Sequence, residues 1–393
     1  MAEAVGVRQG ARFGRSAALA LFALVAGCAV VPKGPPKTVE APPVVVPEPI
    51  TPALPTDTER NRVALLVPLT GPNAGVGTSI SNAANMAVLD TGGARIRVTM
   101  YDTATGAAAA AQRALAEGNR LILGPLLADD VRAVAPIARA AKVPVIAFSN
   151  DTGVAGSGTF VMGYTPAQSV ERVVGYARSK GLSKFAGLVP VGLYGQRSST
   201  AFIRAVEAGG GQVVSLQTFD RTAGSITAAI TRLSQTSPYE AVLIADSGRT
   251  AVQAVPILRA KGGSSAKVLG TELWNTEGAL AASPALRGAW FASVSDGLYN
   301  QLATKYRERF GKSPYRLASL GYDAVLLVTK IAGDWRPGSA FPAARLTDPG
   351  GFSGIDGAFR FGRDGIVERA LEVQQAGTTG STVVSAAPRG FGN

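Results

Sequence analysis

Histidine is absent from all 393 residues, and cysteine occurs once, as Cys28. Without imidazole there is no Ser/His/Asp triad, no histidine general base and no histidine metal ligand. A single thiol allows neither an internal disulfide nor a thiolate zinc cluster. Acidic residues are also short: 27 Asp and Glu against 39 Lys and Arg leave a formal charge of +12. The basic residues are scattered, with no Lys/Arg run of five or more, so nucleic acid is not the expected partner. An anionic envelope surface, or a partner with acidic patches, suits the excess better. No nucleophile, base and orienter occur in a recognisable combination, which leaves an enzyme as the least favoured class, with no cofactor or metal expected.

What is present begins with an address. Arg8, Arg12 and Arg15 precede AALALFALVA at 17–26, a run too short to span a bilayer and ordered like a secretory signal, expected over 1–27. Val25-Ala26-Gly27-Cys28 resembles a bacterial lipobox, which implies acylation of Cys28; the alternative is an incidental small residue. Ala29 after the cysteine then suggests the outer membrane and a lipid-anchored protein on the periplasmic side of the envelope. Residues 31–58 are dense in proline, a composition that favours extended polyproline II, and 28–60 reads as a lipidated N-terminus with a tether.

From Arg62 short apolar runs alternate with amphipathic ones: RVALLVPL, ARIRVTMYD, RLILGPL and VPVIAF, each separated by a helical stretch. A second such series starts near Gly163, with KFAGLVPV, QVVSLQTF, EAVLIAD and KVLG as strands. This alternation predicts α/β architecture, two doubly wound halves with parallel sheets buried on both faces. GAWFASV is read as a strand as the chain crosses back, and GAFRFGRDGIVERALEVQQ as a C-terminal β-hairpin about Gly362-Arg363-Asp364-Gly365. The two-lobed domain is expected over 61–393, lobe 1 at about 61–160 plus C-terminal segments, lobe 2 at about 161–285 plus parts of 330–375.

In open parallel sheets ligands sit beyond the carboxyl ends of the strands. Ser149, Asn150, Asp151 and Thr152 follow VPVIAF at such an end, where they either face a cleft or begin turns and cap helices. Several other motifs read as structural. Gly71, Gly75 and Gly77 lack phosphate-loop spacing, Gly311-Lys312-Ser313 reads as a helix stop, and Asp129-Asp130 open a helix. Tyr101-Asp102-Thr103 either reaches the cleft or turns the chain, and Trp274 is a candidate for stacking on a ligand, whereas Trp290 and Trp335 read as packing residues.

The segments VALLVPLTGPNAGVGTSISNAANMAV, RLILGPLLADDVRAVAPIARAAKVPVIAFSND and LVPVGLYGQRSSTAFIRAVEAGG resemble, in that order, the type I periplasmic binding-protein fold of leucine/isoleucine/valine receptors, over Arg62 to about Gln375. Within it, GYTPAQSVERVVGYARSKGL and GIDGAFRFGRDGIVERALEV look most like the lipoproteins called penicillin-binding protein activators. That likeness implies two lobes about a central cleft and stimulation of a peptidoglycan synthase, a class A penicillin-binding protein, by contact; the alternative is a solute receptor of an ABC importer taking an amino acid or another small polar ligand. By motif, Thr152 matches a carboxylate-binding threonine, Tyr194 a tyrosine lining the cleft and Glu272 the acid that receives an ammonium. Ala128 stands where a serine is expected and Ser247 where an aromatic is expected, so a ligand other than a free amino acid, or none, is implied.

Overall fold

The computed structural model describes residues 59–391 except 237, 264 and 277–282. The signal-like segment, Cys28 and all of the proline-rich stretch therefore lie outside the described residues.

In the first sheet β1 (Asn61–Val67), β2 (Ile96–Asp102), β3 (Leu121–Leu123), β4 (Val145–Ala147) and β5 (Thr159–Val161) run parallel in the order β2-β1-β3-β4-β5. Residues 63–67 of β1 are all fully buried, because both faces are covered. Val63, Leu65 and Val67 face Ile80 and Ala84 of α1 (Ala74–Asp90). Ala64 and Leu66 face Ala111 and Ala114 of α2 (Ala107–Ala116) with Val131 and Val134 of α3 (Ala128–Ala140). The period-two split of one apolar strand between two cores is what the parallel sheet requires.

The second series builds the other lobe. Its elements are α4 (Pro166–Ser179), β6 (Lys184–Pro190), α5 (Leu193–Ala208), β7 (Gln212–Phe219), α6 (Ala223–Ser234), β8 (Ala241–Ile244), α7 (Gly248–Ala260), β9 (Lys267–Gly270) and β10 (Trp290–Ser293). Ala186 and Leu188 of β6 pack with α6 and α7, whereas Phe185 and Val189 pack with α4 and α5.

After β10 the chain returns to the first lobe. There follow α8 (Gly297–Phe310), α9 (Ala318–Ile331) and a small antiparallel sheet of β11 (Phe352–Gly354), β12 (Gly357–Phe361) and β13 (Val367–Arg369). Leu320, Val325 and Val328 of α9 and Phe352, Phe359 and Val367 of the small sheet share a core with β1. At Gly321 the backbones of α9 and α1 meet so closely that a Cβ would lie 2.4 Å from the Ile80 carbonyl oxygen. The expected hairpin is present, with Phe361 opposite Val367.

Two expectations differ from the structure. GAWFASV is a strand as read, but it does not yet cross back; Trp290–Ser293 pairs in parallel with β9, because Phe291 completes the second lobe's core. Of 330–375, only the segment from Glu372 enters the second sheet, as the antiparallel edge β14 (Glu372–Ala376) and β15 (Ser381–Ser385). The preceding aromatics belong to the first core.

Candidate functional site

The carboxyl ends of both parallel sheets contribute to one cleft of about 530 Å³. From the first lobe come Leu126 and Leu127 after β3, Phe148 and Asn150 after β4, and Asn73 and Val76 at the start of α1. From the second come Glu272 and Leu273, just past β9; Tyr164 on the first crossing and Tyr315, Arg316 and Leu317 before α9 complete the wall. The lining mixes apolar side chains with a few polar groups, as small-molecule sites do. Leu127 and Tyr315 keep 40% and 54% of their surface exposed, so this apolar wall is open to an occupant.

Glu272 lies at the floor of the cleft, 7% exposed. Its Oε2 accepts from the Ser169 hydroxyl of α4, and its Oε1 accepts from Tyr194 OH at 2.9 Å. Tyr194 is placed by the first turn of α5, whose Gly195 abuts strand β6: a Cβ there would sit 1.6 Å from the Pro190 carbonyl oxygen. Among the described residues no lysine or arginine pairs with Glu272. Burial pushes its carboxyl above the usual range, and the hydroxyl donors Ser169 and Tyr194 only partly offset this. Burial, then the neighbouring Glu272, raises Tyr194 well above its ordinary value, so it remains a donor.

Among the described residues Arg316 is the arginine at the cleft wall, and it is already matched. Arg316 Nη1 donates to Asp356 Oδ1 at 2.7 Å, its Nε lies 3.7 Å from Asp296 Oδ1, and its guanidinium stacks 4.0 Å over the Tyr299 ring. Burial opposes the charge, but Asp356 overrides it and Arg316 stays ionised. Asp356 likewise is held below the usual carboxylate range, since Arg316 and then Arg369 outweigh its burial. This knot ties the crossing at Asp296 to the first lobe, so Arg316 is not a spare cation for an anionic ligand.

The remaining candidate residues divide. Ser149 Oγ accepts from the Asp151 amide at 3.1 Å and shapes the turn after β4. Asp151, 3% exposed, accepts from Arg132 Nη2 of α3 and Arg197 Nη2 of α5, both at 2.5 Å, and so joins the two lobes. Thr152 Oγ1 accepts from Arg197 Nη1 at 2.6 Å and lines a separate hollow of about 380 Å³ between α4 and α5. Glu272 does not line that hollow. Ser247 caps α7, accepting from the Thr250 amide at 3.2 Å. The structure thus brings Asn150 and Glu272 into one cleft, links Tyr194 to Glu272, and gives Thr152 to Arg197.

Sequence reasoning missed Arg197, Ser169 and Arg316. Only Arg197 had a local signal, lying one helical turn beyond Tyr194. Trp274 is not a stacking residue: it is fully buried against Phe291, because the second core takes its ring. Asp102 turns the chain, accepting from Leu69 and Ala104 amides, and Tyr101 points into the fold, where its hydroxyl donates to Glu117. Among the described residues no group of three His, Cys, Asp or Glu is placed to hold a metal ion.

Compared with profiles of known families, residues 61–381 match the one described as Periplasmic binding protein. A branched chain amino acid ABC transporter periplasmic ligand-binding protein from Burkholderia xenovorans LB400 superposes with a TM-score of 0.68 at 18% identity, over 85% of this chain and 97% of that one. An ABC transporter solute binding protein from R. palustris, in complex with benzoate, gives 0.64 at 20% identity, over 85% and 98%. A branched-chain amino acid transporter substrate binding protein from Streptococcus pneumoniae, in complex with isoleucine, gives 0.63 at 18% identity, over 83% and 99%. An uncharacterized protein of Rickettsia prowazekii (strain Madrid E) is 30% identical over 139 residues, which span 35% of this chain and 37% of that relative.

Proposed function

We propose that this chain, which belongs to the periplasmic binding protein family, is the solute receptor of an ABC importer and takes a small solute with an apolar body and an ammonium-type group. Family membership implies the periplasmic side of the envelope, and no described helix is long and apolar enough to cross a membrane. The observation that carries the reading is Glu272: a carboxyl almost out of reach of water, opening on the cleft, held by hydroxyls but by no cation. A ligand ammonium there supplies the missing charge, and Leu126, Leu127, Phe148 and Leu273 cover the apolar remainder. Of the solutes named for the structural relatives, isoleucine carries such a group and benzoate does not. Ala128, at the start of α3, offers no hydroxyl for a ligand carboxylate, so amines and amino-acid amides are expected to bind at least as well as free amino acids.

A thermal-shift screen of branched-chain and aromatic amino acids, their amides, the parent amines and benzoate tests this. Stabilisation by the ammonium-bearing members is expected, with Glu272→Gln weakening them by about 2 kcal/mol, roughly 30-fold. A panel without any shift, or a response to benzoate alone, refutes the proposal.

A second reading is favoured by a different observation, the lipobox-like Val25-Ala26-Gly27-Cys28 followed by the proline-rich stretch. Here the protein is a lipid-anchored penicillin-binding protein activator that works by contact with a class A synthase. Co-purification with such a synthase, and faster glycan polymerisation on adding the protein, would support it; no binding and an unchanged rate would remove it.

A further inference from the structure

The strands of the first sheet present their carboxyl ends to the cleft, so their amino ends form the opposite face of that lobe. Arginines crowd this base. Arg60 and Arg62 stand at the start of β1, Arg95 and Arg97 at the start of β2, Arg120 before β3, and Arg336 after α9. Three hydrogen bonds bring them to one place. The Asn61 amide donates to the Arg95 carbonyl at 2.9 Å, the Arg120 amide to the Arg62 carbonyl at 3.0 Å, and Asn61 Nδ2 to the Trp335 carbonyl at 2.8 Å.

Two grooves result, sharing Asn61 and Pro337. One, of about 340 Å³, is lined by Arg60, Arg62 and Arg120 with no carboxylate. The other, of about 520 Å³, contains Arg95 and Arg336 with Glu59 and Asp334. Six arginines stand here against the carboxylates of Glu59, Asp334 and the nearby Glu117, so by count the base carries an excess of positive charge; Arg62 Nη1 also donates to the Glu117 carbonyl at 2.8 Å. Arg95, Arg120 and Arg336 are exposed. None of the six arginines of the base lies in the last turn of a helix, so compensation of helix dipoles does not account for them.

The chain enters the described fold at this face: residues 1–58 connect at Glu59, next to Arg60, so the base is the part of the lobe nearest in sequence to the N-terminal part. We propose that the arginine-lined base is a docking face for a bilayer surface rich in anionic phospholipid, with headgroup phosphates entering the groove beside Arg62 and Arg120. Guanidinium groups match phosphate oxygens in paired hydrogen bonds, and clustered basic residues at an anionic leaflet add their contributions. This inference stands independently of what the cleft takes.

The test is co-sedimentation of the full chain carrying Cys28→Ser, so that no acyl group contributes, with vesicles of phosphatidylglycerol and phosphatidylcholine in equal parts and of phosphatidylcholine alone. Preference for the mixed vesicles at low salt is expected, fading as salt rises. Each neutralised arginine should weaken binding about fivefold, so Arg120→Gln with Arg336→Gln loses roughly 25-fold. Arg309→Gln, on α8, should change nothing. If the double variant fails to fold, Arg336→Gln alone, outside any helix or strand, carries the test at about fivefold. Equal binding to both vesicles, an Arg309→Gln loss as large as that at the base, or retention on an acidic protein without retention on vesicles would overturn the proposal.

Discussion

Two buried carboxylates lie at the seam between the lobes, each just beyond the carboxyl end of a parallel strand, and their surroundings are opposite. Asp151 follows β4 and is bracketed at 2.5 Å by Arg132 from its own lobe and Arg197 from the other. Glu272 follows β9 and receives the hydroxyls of Ser169 and Tyr194 but, among the described residues, no lysine or arginine. The comparison separates two tasks that one cleft must perform. At Asp151 the protein supplies its own cations and ties the lobes together without help. At Glu272 no cation of the protein answers the carboxyl among the described residues, and on the proposed reading the solute supplies it.

The sharpest way to break this contrast is at the tie. Asp151→Asn keeps an oxygen for the Gly153 amide while removing the charge that faces both arginines. Since Arg132 and Arg197 keep 52% and 31% of their side-chain surface exposed, solvent softens the loss. The lobe-open population should rise about tenfold, read as a longer distance between labels on α3 and α5; an unchanged distance distribution would show that the tie does not hold the lobes. A smaller effect sharpens the other side. Tyr194→Phe removes one of the two hydroxyls on Glu272 and leaves the ring, so affinity for an ammonium-bearing solute should change only a few-fold, measured by titration calorimetry. A change as large as that of Glu272→Gln would instead make Tyr194 the principal contact.

Much of the fold was legible in the sequence because it depends on local pattern. Strands such as QVVSLQTF and KVLG appear as read. β5, β11 and β15 escaped, being short or at sheet edges; β11 has one buried residue in three. The path of 330–375 escaped because no local pattern says which core Phe352 and Phe359 will join. For the candidate site, the rule that polar residues gather past strand ends pointed to Asn150 and the family resemblance pointed to Glu272, and both line one cleft. That rule could not separate Thr152 from Glu272, since that separation comes from Arg197, which reaches Thr152 across 45 positions of sequence. Nor could it show that Arg316 is neutralised by Asp356, a pairing fixed by how the small sheet packs.

The most direct measurement of the central claim, that Glu272 accepts a cation from the solute, is proton release on binding. Burial holds the Glu272 carboxyl above its ordinary range, so as pH rises from that range toward neutrality a fraction stays protonated until a cation arrives. By the same sign the raised group contributes folded-state stability at low pH that is lost as pH rises through its folded value. Calorimetric titration of an ammonium-bearing solute in buffers of differing ionisation enthalpy should show protons leaving the wild-type protein across this interval, with affinity falling as pH is lowered, and none leaving Glu272→Gln. Binding without proton release, or the same release from both proteins, would contradict the account.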